Sequence, residues 1–352
     1  MRIVRRNVSR RSIALHVDAN LKLVADSFVL LLCWHGSVER RFATFCLCVG
    51  WMYAFVTPFP HPLDEKTHHF KAESISRGVV FETENKRGQL GNCLPVGVQE
   101  PFSHLDIADR SFLAPASSAV EFVANPYVAN VIPLNHAILA IPLAVGRSLG
   151  IPNKPNILIE RLFAYSVYVF LCFWANRLSG PVKIPIAAAA LIPVTHWLSA
   201  TVSTDPLLCG GSFLFLGTVL GRSFEGKRAE NPDWPSLFAL CAGFLLLSSV
   251  KYCGYSVLGF MLFALPSGTA GERRFRNRAF LLCGAIFAMS LAAQVVLLDR
   301  VHYHEDRNGD TDIARQLAFV ISRPMAFLQA FSSYPYLIAR SPYTFLVVLL
   351  YA

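Results

Sequence analysis

The stretch Phe42–Pro60, FATFCLCVGWMYAFVTPFP, runs straight into His61-Pro62-Leu63-Asp64-Glu65-Lys66-Thr67-His68-His69-Phe70-Lys71-Ala72, and this junction decides the fold. The first part carries no charge and has the length of one bilayer crossing, which takes roughly 20 apolar residues. Arg40 and Arg41 precede it, so the positive-inside bias directs it from the cytoplasmic to the outer side. Pro58, Pro60 and Pro62 end the helix. Charge then returns at once as two adjacent carboxylates, Asp64 and Glu65, at the level of the lipid headgroups.

Working outward, the same alternation repeats. Further apolar stretches cover 126–150, 157–176, 183–203, 206–221, 236–250, 252–266, 279–298 and 335–352. The chain of 352 residues is 54% hydrophobic and 16% charged, with a mean hydropathy of +0.43. Soluble domains carry about 25% charged residues, too many for this chain to be one of them. The expected fold is all-α: a polytopic transmembrane helix bundle with a long extracytoplasmic first loop. Residues 1–41 form a basic cytoplasmic segment, 42–352 a multi-span membrane domain, and 61–125 the outer loop. Loops of that length are usually functional. It begins helix-like over Asp64–Arg77 and continues through Gly/Asn/Pro-rich stretches such as RGQLGNCLP.

The connectors set the topology. Arg177 and Lys183, then Arg222, Lys227 and Arg228, then Arg273, Arg274, Arg276 and Arg278 are placed on the cytoplasmic side. Asp205, Lys251 and the 299–334 loop then lie outside. An odd number of crossings is needed between the 61–125 loop and Arg177, yet two apolar stretches lie there. The 126–150 stretch is broken by Pro126, Pro133 and Pro142, so it reads as re-entrant or interfacial; the alternative is that the positive-inside reading fails at Arg177. The formal net charge of +9 belongs to juxtamembrane anchors, not to a solvated basic face, and no nucleic-acid partner is expected. Nine cysteines show no CxxC pair, so neither a disulfide framework nor a zinc site is read.

Candidate chemistry gathers at the outer side. On a helix, Asp64 and His68 share one face at i, i+4, as do Glu65 and His69. A carboxylate there can act as a general base on an acceptor hydroxyl. With His68 or His69 it can also hold a divalent cation. The plainer reading is an acidic helix start favoured by the dipole. Asp205 is either a second acid facing the same side or a helix N-cap. Lys251 either binds a phosphate or snorkels to the interface. His302 and His304 form a His-x-His-Glu string in an outer loop, either metal-binding or solvated.

The pattern P-x-D-E-x-x-H-F-x-x-A over Pro62–Ala72 resembles the DUF2142 family of bacterial polytopic membrane proteins. Gly88–Pro95, Ser203-Thr204-Asp205, Ser249-Val250-Lys251-Tyr252 and Arg323-Pro324 resemble further family elements in the same order, over about residues 42–350. Lys71 stands where the family often has Arg, and Lys251-Tyr252 where it has Lys-Pro. The family's layout resembles the GT-C class of membrane glycosyltransferases, which use polyprenyl-phosphate sugars. The resemblance implies Asp64 as catalytic base or metal-linked residue, with Glu65 and Asp205 supporting. Lys251, His68, His69 and Lys71 would bind substrate. The expected partners are membrane lipids and a polyprenyl-phosphate-linked sugar, and the expected location is the bacterial cytoplasmic membrane. Two other readings stay open: a transporter or flippase of lipid-linked glycans, and a non-catalytic accessory protein or fragment, since family members usually continue through further spans. The sequence sets neither the cofactor, for which a divalent cation is the candidate, nor the oligomeric state.

Overall fold

The computed structural model describes residues 37–60, 64–98, 100, 110–114, 119–125, 128, 131–224, 234–300 and 322. The basic segment before Ser37, the connector with Lys227 and Arg228, His302 and His304, Arg323-Pro324 and the stretch 335–352 lie outside the described residues. The chain divides after Leu297, and the helix bundle belongs to the unit Met1–Leu297.

The protein is an all-α polytopic membrane protein. Its helices are α1 (Val38–Val56), α2 (Glu65–Ser76), α3 (Leu134–Ser148), α4 (Asn153–Leu178), α5 (Lys183–Ala190), α6 (Pro193–Ser199), α7 (Asp205–Phe224), α8 (Trp234–Ser248) and α9 (Ala270–Arg300). A 14-residue 3-10 helix, Lys251–Ala264, joins the last two. Among the described residues, α4, α7 and α9 are long and apolar enough to cross a membrane. A fourth crossing is available if Gly180–Ala190 and Pro193–Ser199, bent by 73° at their junction, count as one broken span. Pro193 explains the break, because it has no N–H for the preceding turn and opens a new helix instead.

Among the described residues the apolar stretches of the sequence therefore become helices, with further adjustments. Glu39, Arg40 and Arg41 take up the first turn of α1, so its apolar remainder falls short of a full crossing. Helix α3 starts only after Pro133 and has 15 residues, roughly 22 Å at 1.5 Å per residue, with Pro142 inside it. Within the loop, β1 (Thr83–Glu84), β2 (Leu90–Pro95) and β3 (Val120–Ala124) form an antiparallel sheet that no pattern in the sequence announces. Asn85 closes the first hairpin, its Oδ1 accepting the N–H groups of Arg87 and Gln89. Cys93 faces Phe122 across the second pair.

Helix α4 is the hub, packing against α1, α3, α5 and α7. Small residues on α7 allow this. A Cβ at Gly210 would lie 2.7 Å from Leu171, and one at Gly217 2.8 Å from the Ala175 carbonyl. Close approach of this kind is how helices associate where no water drives them together. Tyr165 and Tyr168 fill the space between α4 and its neighbours, with Tyr165 Oη donating to the Cys46 carbonyl at 2.8 Å and Tyr168 Oη to Ala190 at 2.7 Å. A second core of Phe215, Leu240, Phe244, Leu262 and Phe275 joins α7, α8, the 3-10 helix and α9.

Candidate functional site

Helix α2 reads EKTHHFKAESIS, a sequence with almost no apolar face, yet Glu65 and all residues from His69 to Ser74 are buried. A polar helix is stable in such a place only if its side chains find partners. Two apolar residues anchor it. Phe70 packs with Leu94, Val98 and Val123 of the sheet region, and Ala72 with Phe59, Leu139, Leu143 and Ile157 of the bundle. The buried polar residues around them meet partners from other elements.

Glu65 meets Arg161 of α4 in a two-pronged pair, Nε to Oε1 at 2.7 Å and Nη2 to Oε2 at 2.6 Å, with both side chains fully buried. Arg161 also donates to the carbonyls of Ala54 at 3.2 Å, Thr57 at 2.5 Å and Pro58 at 2.9 Å. It thereby satisfies acceptors at the end of α1 that the helix itself leaves open. The Val202 N–H donates to Glu65 Oε1 at 2.8 Å. One ion pair thus ties together the end of α1, the start of α2, helix α4 and the loop before α7. The planar guanidinium fork suits this role, whereas a lysine point charge would not.

Asp64, the residue immediately before, is exposed. Its backbone takes the left-handed conformation, φ +54°, and its carbonyl receives Thr67 N–H at 3.0 Å, His68 N–H at 3.2 Å and Thr67 Oγ1 at 2.6 Å. Asp tolerates that region better than most residues. Its side chain makes no capping bond to the helix it precedes.

The histidines are paired. His68 Nδ1 stands 2.8 Å from His136 Nε2, with the rings stacked. His69 Nδ1 stands 2.7 Å from Glu160 Oε2, and both side chains are buried. Burial alone would depress the His69 pKa, but Glu160, then Glu73 and Glu65, outweigh it and the net shift is upward. Lys71 is buried against Glu82 at 2.6 Å. Burial lowers the Lys71 pKa and raises that of Glu82, each against the attraction of the other. Further along, Glu73 holds Arg77 at 2.7 Å and Arg147 of α3 at 3.0 Å, and Asn92 Nδ2 donates to Ser74 Oγ at 3.1 Å.

Of the residues that the sequence marks, Asp64 alone at the start of α2 is open to solvent, while Glu65, His69 and Lys71 face inward to ionic partners. Glu65 brings Ser203-Thr204-Asp205 into the same corner through Val202. Asp205 opens α7 half-buried, its N–H donated to Ser203 Oγ at 3.1 Å. Lys251 opens the 3-10 helix, and its side chain lies outside the described residues. Nearby, Ser249 donates to Asn135 Oδ1 of α3 at 3.2 Å, next to His136. Among the described residues, no group of three or more His, Cys, Asp or Glu is arranged to hold a metal ion. Glu65 and His69, two of the candidate ligands for a cation, are instead turned to Arg161 and Glu160.

Arg161 and Glu160 stand out in the sequence only as charges within an apolar stretch, and Asn135 and His136 do not stand out at all. The available signal is polarity at membrane depth, which is costly enough to imply a partner. Nothing local names that partner, because Arg161 and Glu65 are 96 positions apart.

No curated protein and no solved structure matches the chain. A family model described as "Predicted membrane protein (DUF2142)" matches residues 47–341. That range takes in α2, its partners on α3 and α4, and the loop before α7. The chain belongs to the DUF2142 family of membrane proteins.

Proposed function

We propose that the protein is a membrane glycosyltransferase-like enzyme of the bacterial cytoplasmic membrane. It passes a sugar from a polyprenyl-phosphate carrier to a cell-envelope glycan or lipid on the outer face. The observation that carries this reading is the contrast between two neighbouring acids. Asp64 is exposed on a left-handed turn, while Glu65 beneath it is locked by Arg161. A general base must be reachable by the acceptor hydroxyl and held in place. Asp64 meets the first requirement, and the Glu65–Arg161 pair supplies the second. In this reading Glu65 is a positioning residue, Asp205 supports from the start of α7, and Lys251 holds the carrier phosphate.

The test is transfer from a polyprenyl-phosphate sugar by the full chain in proteoliposomes. Asp64→Asn is expected to lower the rate about 10²- to 10⁴-fold, the usual worth of a general base, with an unchanged melting temperature. Full activity in that variant would remove Asp64 from the role. Translocation of the lipid-linked sugar without transfer, followed in the same vesicles, would favour a flippase instead.

A further inference from the structure

Helix α3 starts behind Pro133 with no side-chain cap. The first N–H groups of a helix have no intrahelical acceptor and carry the positive end of its dipole. Asn135 and His136, in that first turn, are completely buried. Among the described residues, Asn135 Nδ2 and His136 Nδ1 have no hydrogen-bond partner. Their other polar atoms are occupied. Ser249 Oγ, shared with the Leu246 carbonyl, donates to Asn135 Oδ1, and His68 Nδ1 lies against His136 Nε2. When His68 donates, His136 keeps its proton on Nδ1, so both unpartnered atoms are N–H donors.

Burial, then His68 and Lys71, hold the His136 pKa well below the usual histidine range, so the ring is neutral. Two buried donors at an uncapped helix start call for a ligand with several acceptor atoms and negative charge.

We infer that the first turn of α3 binds a phosphate group, with Asn135 and His136 as donors and Ser249 orienting the Asn135 amide. The group can come from a carrier lipid, a phospholipid headgroup or free phosphate. Only the carrier-lipid source rests on the transferase reading.

The test uses the full chain in detergent and in nanodiscs, with thermal unfolding as the readout, since a ligand that binds the folded state raises its melting temperature. Inorganic phosphate, polyprenyl phosphate and nanodiscs with or without phosphatidylglycerol are the probes, and the one that stabilises identifies the source. Asn135→Asp keeps the shape and replaces the amide by a carboxylate, so binding is expected to fall at least about 10-fold. His136→Phe serves if that variant does not fold. Asp64→Asn is expected to bind phosphate as the unaltered chain does, so loss of transfer with retained binding separates this site from the catalytic proposal. Unchanged binding in a folded Asn135→Asp, or no stabilisation by any probe, would overturn the inference.

Discussion

Arg161 shows how much a single buried side chain can organise. Its guanidinium serves one carboxylate and three carbonyls, and removing the counter-charge would strand it. Glu65→Gln keeps the shape but leaves a buried cation unpaired, which is expected to cost roughly 3–5 kcal/mol. A clear drop in melting temperature in detergent checks this. The double variant Glu65→Leu/Arg161→Met should melt above either single one, because it removes the desolvated charge altogether. At this scale the sequence is partly legible. The acidic pair after the first apolar stretch stands out in the sequence, but the way its two members face is not visible there. Asp64 and Glu65 differ by one methylene and one position, and only the helix start turns one outward and the other toward Arg161. Lys71 is a similar case. The family resemblance offers it as a substrate-binding residue, and the structure places it buried against Glu82.

At the scale of elements, α2 is held to the bundle by ionisable contacts, and these respond to pH. The His69 pKa is raised in the folded protein. Its contribution is therefore complete below the ordinary value of 6.5 and is lost as pH rises through the folded value. Docking of α2 should loosen as pH rises above 6.5 and through the raised folded value. Hydrogen exchange of α2 amides, corrected for the intrinsic rate, should show that loosening, and His69→Gln should flatten the profile. A flat profile in the unaltered chain would contradict this link between His69 and docking. The helices themselves are largely readable, because an apolar run of membrane length has few alternatives. The sheet is not. Its strand β2, Leu-Gly-Asn-Cys-Leu-Pro, is built from residues poor in strand preference. Its pairing with β3 spans from Gly91 to Ala124, beyond the reach of any local pattern.

For the whole molecule, the outer surface carries its own message. Only 22% of the most apolar window of α9 is buried, and Leu281 and Met289 are 73% and 64% exposed. Such a surface suits lipid tails and not water. Leu281→Arg is therefore expected to cost roughly 2.5–3.5 kcal/mol of insertion energy if it lies near the bilayer centre. A glycosylation-tag insertion assay measures that cost. The 3-10 segment Lys251–Ala264 adds a point about length. Wound as an α-helix, its 14 residues would reach roughly 21 Å. At about 2.0 Å per residue they reach about 28 Å, close to the roughly 30 Å of a hydrocarbon layer. The tighter winding acts as a spacer. A stretch with too few residues to bridge the bilayer in the common winding gains nearly a third in reach, at the expense of girth.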